Sequence, residues 1–375
     1  MKFIYAVMAL SLTTVLTGCD SETSTDAPLA DDSVAAKESV ASTSQDRVTS
    51  LDKFFSDTGI ETTSATYPTH ETSHQILKNQ DLADVNNFLH KRELAPTDRQ
   101  PIVRMNRDTY YSFAVVDVSK GASVTMPTIP DGMYMSIQPV TEDHRIQAMK
   151  YGSGTFELST HTGEYLYIVV RLDSRFSKEE AQQYQDQMLI TANSSNKFSA
   201  LPVNKKSFDE VENALKAQMP PIVKRDGLDA ITGFFTDPRD DSQALFTEEK
   251  YQVGAAIGWG GAQLVDNLYE VSGNYPDDTC YQATFEDPKN KAFWSFTVYD
   301  KKGFMFNDLA SLNSHTAKVN EDGTYTISFG CGSDAPNNIE TANETGVFNL
   351  AVRHYIPSDR VRNEGYRLIP QMKAR

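Results

Sequence analysis

Residues 67–74, Tyr-Pro-Thr-His-Glu-Thr-Ser-His, satisfy the pattern His-Glu-x-x-His at His70, Glu71 and His74. On a helix that spacing puts two imidazoles one turn apart on one face, where they can hold zinc while the glutamate acts as general base. The surroundings argue against this use. Pro68 stands where such a helix must already be formed, and Thr72 takes a place that zinc proteases give to an apolar residue. Nothing downstream supplies the His-x-x-Gly-x-x-His extension. His70, Glu71 and His74 therefore read as a chance match in an approach loop, and no metal is expected.

A better candidate is Val-Arg-Met-Asn-Arg-Asp-Thr-Tyr-Tyr at 103–111. Read as a strand, it puts Arg104, Asn106, Asp108 and Tyr110 on one face and Met105, Arg107, Thr109 and Tyr111 on the other. Polar groups on both faces mean that one set points at solvent or into a lined cavity. An aspartate beside Arg and Tyr could position a carbohydrate hydroxyl, or act as general base if its pKa were raised. The alternative is a structural network in which Asn106 and Asp108 satisfy backbone groups and Arg107 pairs with a carboxylate at a domain interface. Asp143-His144 falls just after a strand, a loop position where sites collect, and makes His144 a second acid/base candidate. The candidate ligand or catalytic set is thus Arg104, Asn106, Asp108, Tyr111 and His144. His354, on the apolar side of its strand, reads as packed.

Other chemistries have no signature. Gly-x-Ser-x-Gly, the phosphate-cradling Gly-x4-Gly-Lys-Ser/Thr and Cys-x-x-Cys do not occur. Gly258-Trp-Gly-Gly261 follows a helix, and Gln263 breaks Gly-x-Gly-x-x-Gly, so it reads as a turn with close backbone packing. No cofactor is expected. The net charge of −16 repels phosphate backbones and no Lys/Arg cluster offsets it, which argues against nucleic acid as a partner.

The chain start bears on where these groups work. Lys2, an apolar run of about fifteen residues and Leu16-Thr17-Gly18-Cys19 form a cleavable export signal, too short for a permanent span. Leu-Thr-Gly-Cys resembles the lipobox of bacterial lipoproteins, which implies cleavage before Cys19 and acylation of that cysteine by chains such as palmitate. Residues 1–18 are then a signal peptide and Cys19 the membrane anchor, firm because several chains are attached. Asp20 resembles a signal for retention in the inner membrane. Residues 20–50 are rich in Ser, Thr and acids and hold no aromatic residue, so they read as a disordered tether. The protein is expected in the cell envelope, facing the periplasm. In that oxidising compartment Cys280 and Cys331 remain as an even pair, which predicts a disulfide; two buried free thiols are the alternative.

The elements that must position the candidates are mainly β. The 17 Tyr and 19 Phe suit pleated surfaces. A helix is expected over about 81–94, where Leu82, Val85, Phe88 and Leu89 form a stripe. Short β-rich runs broken by Ser-Lys-Gly and Pro-Asp-Gly turns follow to about residue 140, with another strand in "GEYLYIVVRLD", residues 163–173. Two helices open with capping boxes, Ser177/Glu180 and Ser207/Glu210, and Pro220-Pro221 ends the second. A further helix starts at Thr247. Strands return in "AFWSFTVYD", where Trp294, Phe296 and Val298 face one way and Ser295, Thr297 and Tyr299 the other. In "VFNLAVRHY", Phe348, Leu350 and Val352 alternate with Asn349, Ala351 and Arg353. Sandwich or jelly-roll packing is expected.

"QPIVRMNRDTYYSFAVVDVSKGASVTMP" followed by "PDGMYMS" resembles the bacterial domain of unknown function 1254, and "AFWSFTVYDKKGFM", "NEDGTYTISFG" and "FNLAVRHYIP" resemble its C-terminal companion 1214. The resemblance runs from about Tyr67 to the end. It implies two β-rich domains, the second jelly-roll-like, an α+β protein overall that is mainly β, often exported. It implies no established activity. It also implies cysteines near positions 280 and 331, and Tyr-Pro-x-x-Glu-Thr without a histidine pair at residue 67. One departure is the stretch "ETANETG", where many members carry Asn-Trp-Leu-Pro. The domains expected are 51–225, with two helices at its end, and 226–375. The reading that follows is an envelope lipoprotein binding a small molecule, glycan or envelope partner in a cleft between them. A hydrolase or lyase using Asp108 or His144 is the alternative, and a structural or assembly lipoprotein a second one.

Overall fold

The computed structural model describes residues 46–100, 103–239 and 246–375. Cys19, the signal peptide and the tether to residue 45 lie outside the described residues. Arg47 and Val48, expected in the tether, already belong to the body. Val48 exchanges backbone hydrogen bonds with Ala200, and Arg47 Nε donates to Ser199 Oγ at 3.0 Å.

The protein is mainly β: of the described residues 22% are helical and 30% lie in strands, and among them there is no closed barrel. A first sheet has five strands in the spatial order Phe88–His90, Thr109–Asp117, Tyr165–Asp173, Met135–Thr141 and Lys150–Tyr151, all antiparallel. Every residue of its central strand, Tyr-Leu-Tyr-Ile-Val-Val-Arg-Leu-Asp, is buried, because both faces are covered. On one face Ala114, Val116, Ile137, Ile168 and Val170 pack against a three-stranded sheet of Gly154–Leu158, Ala122–Met126 and Leu189–Ala192. On the other, Val115, Val140, Tyr167 and Val169 meet Ile76, Leu77, Phe208 and Val253 from three helices, Tyr67–Ala83, Lys205–Lys216 and Glu248–Gly258. Although it lies beyond residue 226, Glu248–Gly258 packs in this first core.

The second half is a sandwich. A sheet ordered Asn267–Val271, Val347–Tyr355, Trp294–Tyr299 and Ser311–Asn313, with Tyr275–Pro276 also paired to Val347–Tyr355, packs on one of Asn338–Ile339, Thr324–Phe329, Tyr281–Glu286 and Met372–Ala374. Trp294, Phe296, Val298, Phe348, Leu350 and Val352 form its core with Ala283, Phe285, Ile327 and Phe329, as the alternation requires. Each large side chain so buried is worth roughly 1.5–3 kcal/mol before ordering entropy. Cys280 and Cys331 are joined by a disulfide with Cα atoms 4.6 Å apart, next to the paired residues Tyr281 and Phe329.

Several local expectations are corrected. Tyr67–Ala83 is a helix and not an approach loop. Pro68 sits in its first turn, where a missing N–H costs nothing. The helix expected over 81–94 ends at Ala83, and Phe88–His90 is an edge strand. The Ser177/Glu180 capping box forms and Thr247 caps its helix, but the second box does not. Asn204 caps there instead, its side chain accepting from Ser207 N. Pro220 and Pro221 do not end that helix; they lie in the first turn of the next one, Met219–Asp226. The stretch 103–108 is a loop, with Arg104 at φ +57°, and the strand begins only at Thr109.

Candidate functional site

The His-Glu-x-x-His residues are on a helix, but they are occupied with one another and with packing. His74 Nδ1 lies 3.0 Å from Glu71 Oε2, and Gln75 Nε2 donates to Glu71 Oε1 at 2.6 Å. His70 Nδ1 is 3.0 Å from Thr62 Oγ1, and burial holds its pKa below the usual histidine value. The His74 ring packs among Phe54, Phe55 and Phe208. Among the described residues no group of three or more His, Cys, Asp or Glu is arranged to hold a metal ion.

The loop 104–108 is tied to the second sheet at every turn. Asp108, 2% exposed, accepts from Ser295 Oγ at 2.7 Å and Tyr355 OH at 2.9 Å, both on the same carboxylate oxygen. Burial raises the Asp108 pKa, and the Arg353 charge with the two hydroxyl bonds pulls it back. Arg353 donates to Thr297 Oγ1, Tyr299 OH and the Arg104 carbonyl, and Tyr299 OH donates to the Met105 carbonyl. Asn106 Oδ1 accepts from Asp108 N, while its Nδ2 donates to Tyr111 OH at 3.1 Å. Arg107 pairs with Asp308 at 3.2 Å, on the second half. Of the candidate set, Arg104, Asn106, Asp108 and Tyr111 are thus brought together, in a network with few groups left over.

His144 is elsewhere and differently used. It is buried at φ +59°, with its ring against Trp259, Phe235 and Tyr251. Its Nε2 accepts from Gly260 N at 3.0 Å, which fixes the proton on Nδ1, and Nδ1 has no partner. Burial pushes its pKa down to about 3. Asp143 turns away and meets His161 at 2.9 Å. Gly261 follows in the same turn, where a Cβ would stand 2.2 Å from Phe235, the close packing expected of this glycine-rich turn. His354, also packed as expected, has its Nε2 2.8 Å from Glu270 Oε1.

The most distinctive feature was not expected. Strand register lines up Tyr111, Arg171, Ser136 and Tyr151 as one row across the first sheet. In the second sheet it lines up Tyr269, Arg353, Ser295 and Asn313 as another. Each row is Tyr-Arg-Ser in spatial order, and the two meet in a polar seam. Tyr151 OH donates to Asp266 Oδ1 at 2.5 Å across it, and the Tyr134 and Tyr355 rings meet at 5.5 Å. Arg171, 7% exposed, lies 5.7 Å from the Tyr111 ring centre and interacts electrostatically with the phenols of Tyr111, Tyr269, Tyr134 and Tyr355. Its one hydrogen bond among the described residues, 2.7 Å, goes from Nη1 to Gln138 Oε1, and Gln138 in turn donates to the Gly260 carbonyl at 2.7 Å. His144, through Gly260 and Gln138, therefore helps position Arg171. Tyr111, Phe113 and Tyr269 keep part of their surface accessible, and the unbonded Arg171 N–H groups are not among the buried atoms without a partner, so solvent enters the seam beside Arg171 as a crevice. The signal in the sequence was an arginine at the seventh place of a wholly buried strand that is apolar or aromatic up to that point.

The family model described as protein of unknown function DUF1254 matches residues 85–184, and that described as protein of unknown function DUF1214 matches 267–359. No curated protein matches the chain. Among solved structures, a Vibrio parahaemolyticus protein is similar at 16% identity with a TM-score of 0.61, over 83% of this chain and 97% of that one. A putative uncharacterized protein from Burkholderia cenocepacia is similar at 14% identity with a TM-score of 0.50, over 83% and 86%. At such identities the likeness shows the fold alone.

Proposed function

We infer that this chain, a member of the two-domain DUF1254/DUF1214 family, is an envelope-anchored lipoprotein that binds a small molecule in the crevice between its facing sheets. One observation carries the binding part. The Arg171 guanidinium is buried with a single hydrogen bond and no carboxylate within ion-pair distance among the described residues. Its other N–H groups are not among the buried atoms left without a partner, so they open onto solvent in the crevice, where a ligand can supply acceptors. The sequence at Leu16–Cys19 supports the anchor, and the disulfide suits an oxidising compartment.

The acid/base alternative is the weaker reading. Asp108 spends one oxygen on two hydroxyl donors and serves as a clamp, while His144 is buried neutral and bonded to backbone. Neither has the accessible, poised geometry that a general base needs. The test is one experiment on the full chain expressed in a two-membrane bacterium. Palmitate labelling must be lost in Cys19→Ser, and native mass spectrometry of the detergent-extracted chain must show a discrete organic adduct that disappears in Arg171→Gln. A label that survives Cys19→Ser removes the anchor, and an adduct retained by Arg171→Gln removes the crevice.

A further inference from the structure

We propose that the crevice is an anion site for a small molecule with one carboxylate and an apolar body, held by the Arg171 guanidinium; this rests on the binding reading above and specifies its chemistry. The first observation is charge. In a chain of net −16, three guanidiniums, Arg104, Arg171 and Arg353, gather at the seam. The carboxyl groups that interact with them are Asp108 and Asp266. Both have their pKa raised by burial, and Asp266 Oδ2 is buried without a partner. Three guanidiniums facing two carboxyl groups leave room for one external negative charge even with both carboxyls ionised.

Donor accounting picks out the anchor. Arg353 spends itself on Thr297, Tyr299 and the Arg104 carbonyl. Arg104 Nη1 is buried without a partner, and that guanidinium lies 5.6 Å from the Tyr299 ring centre. Arg104 makes no side-chain hydrogen bond among the described residues, but its Nη1 is shut away from solvent. Arg171 uses one of five N–H donors and none of the others is a buried atom without a partner, so Arg171 is the guanidinium a ligand can reach. Burial holds the phenols of Tyr134, at about 12, and of Tyr269 protonated, so they remain neutral hydrogen-bonding groups towards an anion.

Shape and charge narrow the ligand. A carboxylate takes two parallel N–H bonds from one guanidinium. A dianion such as phosphate has no apolar body and would set its second charge against the aromatic surface beside Arg171. Beside Arg171 the Tyr111 and Phe113 rings lie stacked at 5.8 Å and 11°, and Tyr167 and Trp259 continue the aromatic surface. That shelf suits an apolar or aromatic body.

The experiment is isothermal titration of the full chain in nonionic detergent at fixed ionic strength, with benzoate, hexanoate, benzamide and inorganic phosphate as probes. A carboxylate is expected to bind at millimolar concentration or below, and benzamide and phosphate not. Arg171→Lys, which keeps the charge but loses the two-pronged geometry, and Arg171→Gln are each expected to weaken it roughly tenfold or more. Should Arg171→Gln fail to fold, Arg171→Lys alone decides. Equal binding of benzamide, preference for phosphate, or unchanged affinity in Arg171→Lys each overturns the carboxylate assignment. So does failure of both carboxylates to bind. A native adduct lost in Arg171→Gln would still uphold the crevice while refuting the anion, so the two readings fail separately.

Discussion

Acidification should loosen this protein through His144, and the size of the effect can be worked out. The fold accepts the ring only as neutral imidazole, since Nε2 receives the Gly260 N–H and burial disfavours the cation; Asp143 opposes that shift and Arg145 adds to it. The folded pKa of about 3 lies below the ordinary 6.5. A depressed histidine contributes its stability fully above pH 6.5 and loses it as pH falls from there towards 3. The whole gap corresponds to roughly 5 kcal/mol, of which about 2 kcal/mol is gone at pH 5.0. His70, His90 and His315 are also depressed by burial and act in the same direction, so the wild-type curve alone does not isolate His144. His144→Asn does. Asparagine tolerates the positive φ and does not titrate, so the variant starts about 1–3 kcal/mol less stable at pH 7.5. Its further loss between pH 7.5 and 5.0 should then be about 2 kcal/mol smaller than that of the wild type. Urea unfolding at the two pH values, followed by tryptophan fluorescence, gives both numbers. Equal losses in the two proteins would refute the buried neutral ring.

Asp108→Ala should destabilise by about 3–5 kcal/mol in urea, because it strips Ser295 and Tyr355 of their acceptor and Arg353 of a nearby carboxylate. Asp108→Asn keeps an acceptor and should cost clearly less; a loss below about 1 kcal/mol in the alanine variant would refute the clamp. Replacing Cys280 and Cys331 together by serine should cost about 4 kcal/mol, the chain-entropy value for the separation of 51 residues. An unchanged urea midpoint in that double variant would show that the bridge contributes nothing.

Strand alternation was legible wherever one face of a sheet meets an apolar core. Trp294, Phe296 and Val298, or Phe348, Leu350 and Val352, announce their face because their partners across the sandwich are also apolar. The helix Tyr67–Ala83 was hidden because its buried side includes His70, Glu71, Asn79 and Gln80. Gln80 is there to hold backbone, donating to the Thr49 and Phe198 carbonyls and accepting from Phe198 N, so polarity at that position carried no sign of exposure. Asn106, Asp108 and Tyr111 could be singled out because they are polar and clustered in sequence. The two rows could not, since Tyr111, Arg171 and Ser136 become neighbours only through the register of three strands, and Tyr269, Arg353 and Ser295 through another three.

The clamp at Asp108 also sets an order of events in the making of the molecule. Its two hydroxyl partners come 187 and 247 residues later in the chain, and Tyr355 is the last residue of the long strand Val347–Tyr355. In the exported chain proposed above, while that strand is still being delivered across the membrane, the loop 104–108 has nothing to close on and Asp108 must stay hydrated. The first half can assemble its own apolar cores early, but its polar edge has to wait in water for the other half. Completion is therefore a late, all-or-nothing event that reports whether nearly the whole chain has arrived, and a translation product cut short before residue 347 would carry an unmet negative charge at its open edge.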